Sequence, residues 1–125
     1  MKTILFAGKS PVRARLAEMI GELRGVQLDV EDPDVDKVRP IIRQLRPDVI
    51  LVDIDEAHGD GLEIIRRCRG QEGHRGPVIV AIANSRSLQY RESCRAAGAV
   101  FFFNPEREQY WLLDTLESIR EQVED

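Results

Sequence analysis

The chain has 125 residues and a net charge of −4, with 32% charged and 42% hydrophobic side chains. This length suits one domain, residues 1–125, with a core that needs no disulfides, and the composition is globular rather than disordered. The net negative charge does not favour binding to nucleic acid, and no apolar run approaches the roughly 18 residues of a membrane span. Met1 and Lys2 lead directly into a predicted strand rather than a signal peptide, so we expect a cytoplasmic protein.

The first third of the chain predicts a strand, a helix and a second strand. Thr3 to Ala7 is an apolar run, and Ser10 followed by Pro11 predicts a helix start, because serine caps the first turn and proline fits its first position. The half-polar run 26–30 predicts a strand at the edge of a sheet. The buried stripe of the helix is predicted at Leu16, Met19, Ile20 and Leu23.

A second helix is predicted over Val35 to Leu45. Pro40 lies inside this pattern, so either the helix begins only a few residues before it or its first turn is irregular. The side chains predicted to face inward are Val38, Ile41, Ile42 and Leu45.

The most informative stretch of the sequence runs from Arg46 to Gly61. Val49 to Val52 is unbroken and apolar, which is typical of a strand buried on both faces of a parallel sheet, and it ends on Asp53. Open α/β sheets bind their ligands beyond the carboxyl ends of such strands, so Asp53 is the leading candidate site residue. We expect the acidic loop that follows to be solvated, with a cation site as the alternative; its members are Asp55, Glu56, His58 and Asp60.

The remaining elements continue the alternation. Helices are predicted over Leu62 to Arg69, from after Ser87 to Gly98, and over Glu106 to Val123; strands are predicted over Pro77 to Ala83 and Val100 to Phe103. The core stripe of the last helix is predicted at Leu112, Leu116, Ile119 and Val123. Five alternating strands and helices predict a doubly wound parallel α/β sheet with helices on both faces, and two strand orders fit that class. Cys68 and Cys94 fall in helical patterns and are predicted to be free thiols.

Three motifs resemble the receiver domains of response regulators. The run from Pro47 to Asp53, followed by Gly61-Leu62-Glu63, resembles the third strand and following turn of that family. Pro77-Val78-Ile79-Val80 and Ala96-Ala97-Gly98-Ala99 resemble its fourth-strand opening and the corner before its fifth strand. The resemblance covers Thr3 to about Ile119. It implies the flavodoxin-like strand order 2-1-3-4-5, with a ligand site where the order reverses between strands one and three.

The resemblance also shows which functional groups of the family are missing. Receivers are phosphorylated on the aspartate that ends strand three, which corresponds to Asp53. Their Mg²⁺ is held by that aspartate, by a carbonyl two residues later (Asp55) and by an acidic pair after strand one, where this chain has Gly8 and Lys9. The family's hydroxyl position at the end of strand four corresponds to Ile82.

The fifth strand continues this departure from the family. Its lysine corresponds to Pro105 without gaps, or to Asn104 after a shift of one residue, and its switch aromatic corresponds to Phe102. Mg²⁺ requires several oxygen ligands, so we expect neither a metal nor another cofactor, with Asp53 and Asp55 as weak metal candidates. We hypothesise that Lys9 pairs with Asp53 as a fixed counter-charge; the alternative is a solvated Lys9 and an Asp53 bonded to loop amides.

The resemblance implies a role in two-component phosphorelay signalling, for which two functions are open. We favour an atypical receiver, or pseudo-receiver, that is not an enzyme and acts as a protein-interaction module. The alternative is a working phosphoacceptor, modified on Asp53 with Mg²⁺ by a sensor histidine kinase. A protein partner or a second copy is expected on the face of helix four, strand five and helix five. Five apolar or aromatic residues could either contact that partner or pack under the helices, and the sequence leaves both alternatives open: Leu88, Tyr90, Phe101, Phe103 and Trp111.

Overall fold

The structure, a computed structural model, describes residues 1–57, 59–69, 76–84 and 87–124, so His58 lies outside the described residues. Strands and helices alternate as predicted. The elements are β1 (Lys2–Phe6), α1 (Pro11–Gly21), β2 (Gln27–Glu31), α2 (Val38–Leu45), β3 (Val49–Asp53), α3 (Gly61–Cys68), β4 (Val78–Ile82), α4 (Leu88–Ala97), β5 (Phe101–Phe103) and α5 (Gln109–Glu124).

The five strands form one parallel sheet in the order β2-β1-β3-β4-β5. This order is the one that the resemblance implied, and it confirms β2 as an edge strand. β3 lies at the centre, where all five of its residues are buried. Asp53 is paired in register with Ile82 of β4, so both residues lie at the carboxyl edge of the sheet.

Two hydrophobic clusters cover the two faces of the sheet. The cluster around Ile50 and Val52 includes side chains of α2, α3 and α4, whereas the cluster around Val49 and Leu51 includes those of α1 and α5. Successive residues of a strand point to opposite faces, which explains this division. Cys68 and Cys94 are buried thiols outside any disulfide, as predicted, and burial raises the pKa of the Cys68 thiol to about 12.

Helix boundaries follow the local chemistry of the sequence. The Ser10 hydroxyl accepts a 3.3 Å hydrogen bond from the Arg13 backbone N–H, and Pro11 is the first residue of α1, as predicted. α2 begins at Val38, so Pro40 occupies its third position; this confirms the alternative in which the helix begins shortly before the proline.

The core stripe of α5 is one residue shorter than predicted. Leu112, Leu116 and Ile119 are buried, but Val123 is exposed. Ile119 is the last residue of α5 in the core, so the final turn extends past the packed face of the helix. No helix in the described part of the chain combines the length and apolar character needed to cross a membrane.

Candidate functional site

Asp53 is the centre of the candidate site, and its carboxylate is bound to an arginine. The Asp53 side chain is 0% exposed and that of Arg13 is 4% exposed. The Arg13 Nε–H donates to Asp53 Oδ2 at 2.5 Å, and Nη2 donates to Oδ1 at 3.4 Å. Both carboxylate oxygens therefore contact one guanidinium group, in the two-point geometry that makes arginine–carboxylate pairs strong and specific.

The register of α1 places Arg13 at this carboxylate. α1 follows β1 after a short loop, and its first turn is fixed by the Ser10 cap. Arg13 lies three residues before Leu16 and seven before Ile20, both buried, so all three side chains occupy the same helix face. Because Arg13 is in the first turn, its side chain reaches the carboxyl edge of the sheet rather than the middle of the core.

The predicted pair between Lys9 and Asp53 is wrong. Lys9 is exposed in the loop before the Ser10 cap, and the structure records no ion pair for it within the described ranges. The guanidinium of Arg13 occupies the position at Asp53 that we had assigned to the Lys9 ammonium. A fixed counter-charge is thus present, but it comes from Arg13 in the first turn of α1 rather than from Lys9 in the preceding loop.

Glu56 fills the space beside Gly8, one of the two positions where the receiver family carries acidic residues. A Cβ atom built on Gly8 would lie 1.7 Å from Glu56 Oε2, so any larger residue here would displace that carboxylate. Asp55 lies close by, with Oδ2 3.7 Å from Arg13 Nη2. The same oxygen accepts a 2.7 Å hydrogen bond from the Asn84 backbone N–H, which ties the loop after β3 to the residues after β4.

Burial and charge act in opposite directions on the Asp53 carboxyl. Desolvation raises its pKa, because a low-dielectric environment disfavours the charged form. The hydrogen bonds and positive charge of Arg13 lower the pKa, while the nearby negative charges of Glu56 and Asp55 raise it further. The net direction is upward, so the pair consists of a costly buried carboxylate and the cation that makes its burial tolerable.

The residues at this edge do not fit a Mg²⁺ ion. Mg²⁺ demands near-octahedral oxygen ligands, but the Asp53 oxygens face a guanidinium and Asp55 Oδ2 accepts from Asn84. In the part of the chain that the structure describes, no group of three or more His, Cys, Asp or Glu side chains is arranged to hold a metal. Asp60, a member of the predicted acidic loop, instead caps α3 by accepting a 2.9 Å hydrogen bond from the Leu62 N–H.

The remaining pocket positions carry structural groups. Ile82 is fully buried and has no hydroxyl. Asn104 directly follows β5, and its Oδ1 accepts hydrogen bonds from the backbone N–H groups of Glu106 (2.9 Å) and Arg107 (3.0 Å). Pro105 is buried beside it. Asn104 therefore shapes the turn into α5 and supplies no cation near Asp53.

The candidate partner face is partly exposed and partly core. Leu88 is 80% exposed, Trp111 is 66% exposed, and Phe101 is 36% exposed. Phe103 is buried under α5 and stacks on Phe101 with ring centroids 6.1 Å apart, so of the two alternatives left open for Phe103 the structure has packing under the helix. Residues i and i+2 of a strand share a face, which places the two rings on the same side of β5.

Tyr90 and Phe102 pack on the opposite face of the sheet from Phe103. Tyr90 is half-buried and packs against the core under α4. Phe102, the predicted switch-aromatic position, is half-buried with the Arg91 guanidinium 4.7 Å above its ring.

The chain is similar to solved receiver domains of response regulators. The chain is similar to the BeF3-activated N-terminal receiver domain of RstA from Klebsiella pneumoniae (TM-score 0.79, 22% identity, covering 96% of this chain and 98% of that one). It is also similar to a LuxR-family DNA-binding response regulator from Staphylococcus aureus (TM-score 0.78, 16% identity, 95% and 98%). A third is the response regulator domain of Thermotoga maritima CheB (TM-score 0.74, 16% identity, 97% and 94%). No family model and no curated protein matches the sequence. The chain has the receiver fold, and these identities carry no conclusion about its chemistry.

Proposed function

We propose that residues 1–125 form one receiver-type module of two-component signalling, in which a fixed Arg13–Asp53 pair takes the place of Mg²⁺-dependent phosphorylation. The observation that carries this proposal is the contact of one buried guanidinium with both Asp53 oxygens. The module acts by binding another protein rather than by accepting a phosphoryl group.

The arrangement opposes phosphorylation at two steps. A carboxylate oxygen must be free to attack phosphorus, and cations must neutralise the oxygens of the transferred group. Here both oxygens are engaged and the side chain is sealed from solvent. No lysine replaces the family's amine at Asn104, and Lys9 lies exposed away from the pair.

The pair supports a constant conformation at the carboxyl edge of the sheet. Arginine stays protonated at every physiological pH, so the tie between α1 and the end of β3 needs no metal and no phosphoryl donor. From Arg13 the connection continues through Asp55, whose Oδ2 is 3.7 Å from Arg13 Nη2, to the Asn84 N–H at the start of the segment that leads to α4. The face of α4, β5 and α5 would thus be held in one state.

This face carries the proposed interaction surface. Leu88 and Trp111 expose most of their apolar area, and exposed tryptophan is among the residues enriched at protein interfaces. A second copy of the chain is the partner that can be tested directly, and a sensor histidine kinase is the other protein that a receiver role implies.

Self-association should depend on the exposed tryptophan. We expect sedimentation equilibrium of the native chain to show a dimer, and Trp111→Ala to weaken it at least tenfold, as truncation of a central aromatic contact does. Val12→Ala, which truncates an exposed apolar residue on α1, should leave the dissociation constant of the dimer unchanged. A native chain that remains monomeric at about 100 μM, a concentration at which weak specific dimers form, would exclude the second copy as partner.

Mg²⁺ should not stabilise the chain. A site with a dissociation constant of about 1 mM would add about 1.4 kcal/mol at 10 mM Mg²⁺ through mass action. We expect the melting temperature to be the same in MgCl2 and in NaCl of equal ionic strength. A Mg²⁺-specific increase that disappears in Asp53→Ala would contradict the proposal.

A small phosphodonor tests the proposed function itself. We expect incubation with acetyl phosphate and Mg²⁺ to leave the intact mass of the native chain unchanged. A gain of about 80 daltons, the mass of one phosphoryl group, that is lost in Asp53→Ala and kept in Asp55→Ala would establish the working phosphoacceptor instead.

A further inference from the structure

A second concave site lies at the amino edge of the sheet, far from Asp53. It is a cleft of about 310 Å³ between α2 and α3, next to Pro77, the residue that precedes β4. Asp53 is paired with the other end of β4, so the two sites lie at opposite edges of the sheet. The volume is at the lower end of the roughly 300 to 1,000 Å³ of small-ligand pockets.

Four arginines line this cleft and no acidic residue does so, within the part of the chain that the structure describes. Arg39 and Arg43 lie four residues apart on α2, where two like charges share a helix face and repel each other. Arg67 and Arg69 come from the end of α3. Such a concentration of positive charge is unexpected in a chain with a net charge of −4.

Three of these arginines are available to a ligand. Arg67 is held by Glu63 at 3.3 Å, by Asp36 at 3.6 Å and by the Val35 carbonyl at 2.8 Å. In contrast, Arg39, Arg43 and Arg69 are exposed and form no ion pair or side-chain hydrogen bond with any described residue. Within the described residues these three guanidinium groups have no anionic partner of their own, and an anion in the cleft would supply one.

The chemistry of the walls narrows the class of anion. Guanidinium groups bind phosphate oxygens in a two-point geometry, and several of them around one concavity match a group with two negative charges. Ile42 and Pro77 add an apolar wall beside the arginines. A ligand with both a phosphate and an apolar or planar part satisfies both kinds of wall.

We propose that the α2–α3 cleft binds a small phosphate ester of about nucleotide size. The phosphate contacts Arg39, Arg43 and Arg69, and the rest of the ligand lies against Ile42 and Pro77. This proposal does not depend on whether Asp53 accepts a phosphoryl group, because the two sites share no residue.

Titration of ¹⁵N-labelled chain with AMP tests the proposal. We expect amide shifts that saturate and that are confined to residues 39–43, 67–69 and 76–78. Adenosine, which lacks the phosphate, should bind at least tenfold more weakly, and added salt should weaken AMP binding because the contacts are ionic. The double variant Arg43→Ala, Arg69→Ala should raise the dissociation constant for AMP at least tenfold.

Arg15→Ala is the matched control, since Arg15 is an exposed arginine on α1, on the other face of the sheet. It should bind AMP as the native chain does. The substituted arginines are exposed, so the spectra of all variants should otherwise overlay. Weak specific ligands have dissociation constants of about 1 mM, so about 5 mM AMP should occupy most of the sites. Absence of amide shifts at this concentration would overturn the proposal. So would equal binding of adenosine, or an unchanged dissociation constant in the double variant.

Discussion

Replacing Arg13 with alanine is expected to destabilise the chain by about 3 to 5 kcal/mol, the usual cost of removing one partner from a buried ion pair. The reason is that the Asp53 carboxylate, 0% exposed, would then be left with no cation and with the negative charges of Asp55 and Glu56 nearby. Urea denaturation measures this loss. Arg15→Ala, an exposed arginine two residues along α1, should change stability by no more than about 0.5 kcal/mol.

The loss should depend on pH with a defined sign. Arg13 lowers the pKa of Asp53 against the larger effect of burial, so its removal raises the pKa further above the unfolded value of about 3.9. Between those two pKa values the folded state binds more protons than the unfolded state, so stability decreases as pH rises through the interval. The Arg13→Ala chain should therefore be less destabilised at about pH 5 than at about pH 8. Equal destabilisation at both values would contradict this explanation.

Removal of both charges together should restore much of the lost stability. A buried ion pair replaced by apolar residues of similar size is often neutral or stabilising, because both desolvation costs disappear. We expect the double variant Arg13→Met, Asp53→Leu to be more stable than Arg13→Ala alone. The single variants Arg13→Met and Asp53→Leu complete the comparison. If their losses of unfolding free energy added up to the loss in the double variant, the two side chains would not be coupled, and this would contradict the stabilising role of the pair.

Replacing Asp53 with alanine is the second large effect, and its sign is the informative part. We expect a destabilisation of about 2 kcal/mol, in the range for hydrogen bonds to charged groups. The loss should be smaller than for Arg13→Ala, because Asp55 lies 3.7 Å from the arginine and remains as a partner. Asp53→Asn, which keeps the shape and one acceptor oxygen, should fall between the native chain and Asp53→Ala.

The control for this change is Asp29→Ala, since Asp29 is an exposed aspartate on the edge strand β2. Asp29→Ala should change the free energy of unfolding very little. A pocket that held only mutually repelling carboxylates would be stabilised when Asp53 is removed. An increase in the urea midpoint of Asp53→Ala would therefore show that Arg13 does not compensate the buried charge.

The fold was predictable because its signals are local and repeated. Val49 to Val52 and Val78 to Ile82 are apolar runs that suit only doubly buried strands, and the cap at Ser10 and Pro11 fixed the start of α1. The strand order could not be derived from periodicity, because both neighbouring orders bury the same residues. The resemblance to receivers supplied it, and the sheet confirms it.

The centre of the site was predictable, whereas its counter-charge was not identified. Asp53 follows from its place at the end of a buried strand. Arg13 was overlooked because a charged residue is normally assigned to the solvent side of a helix. The signal was nonetheless present, since Arg13, Leu16 and Ile20 share one face and two of them were already assigned to the core. An arginine that continues a buried stripe into the first turn of α1 points at the carboxyl edge of the sheet.

The burial of Phe103 and the role of Asn104 could not be derived from the sequence for a different reason. The run from Phe101 to Phe103 is too short for alternation to reveal which ring points inward, and only the position of α5 decides that Phe103 is buried. Asn104 was considered only as a replacement for a lysine. Its role in the turn before α5 depends on the backbone N–H groups of Glu106 and Arg107, whose positions sequence does not give.

The most direct test of the account is a crystal structure of the chain grown with Mg²⁺ and beryllofluoride, which mimics a phosphoryl group on aspartate. We expect the Arg13 guanidinium to contact both Asp53 oxygens, with neither ligand bound at that carboxylate. Beryllofluoride bonded to Asp53, with Mg²⁺ coordinated beside it and Arg13 displaced, would contradict the account.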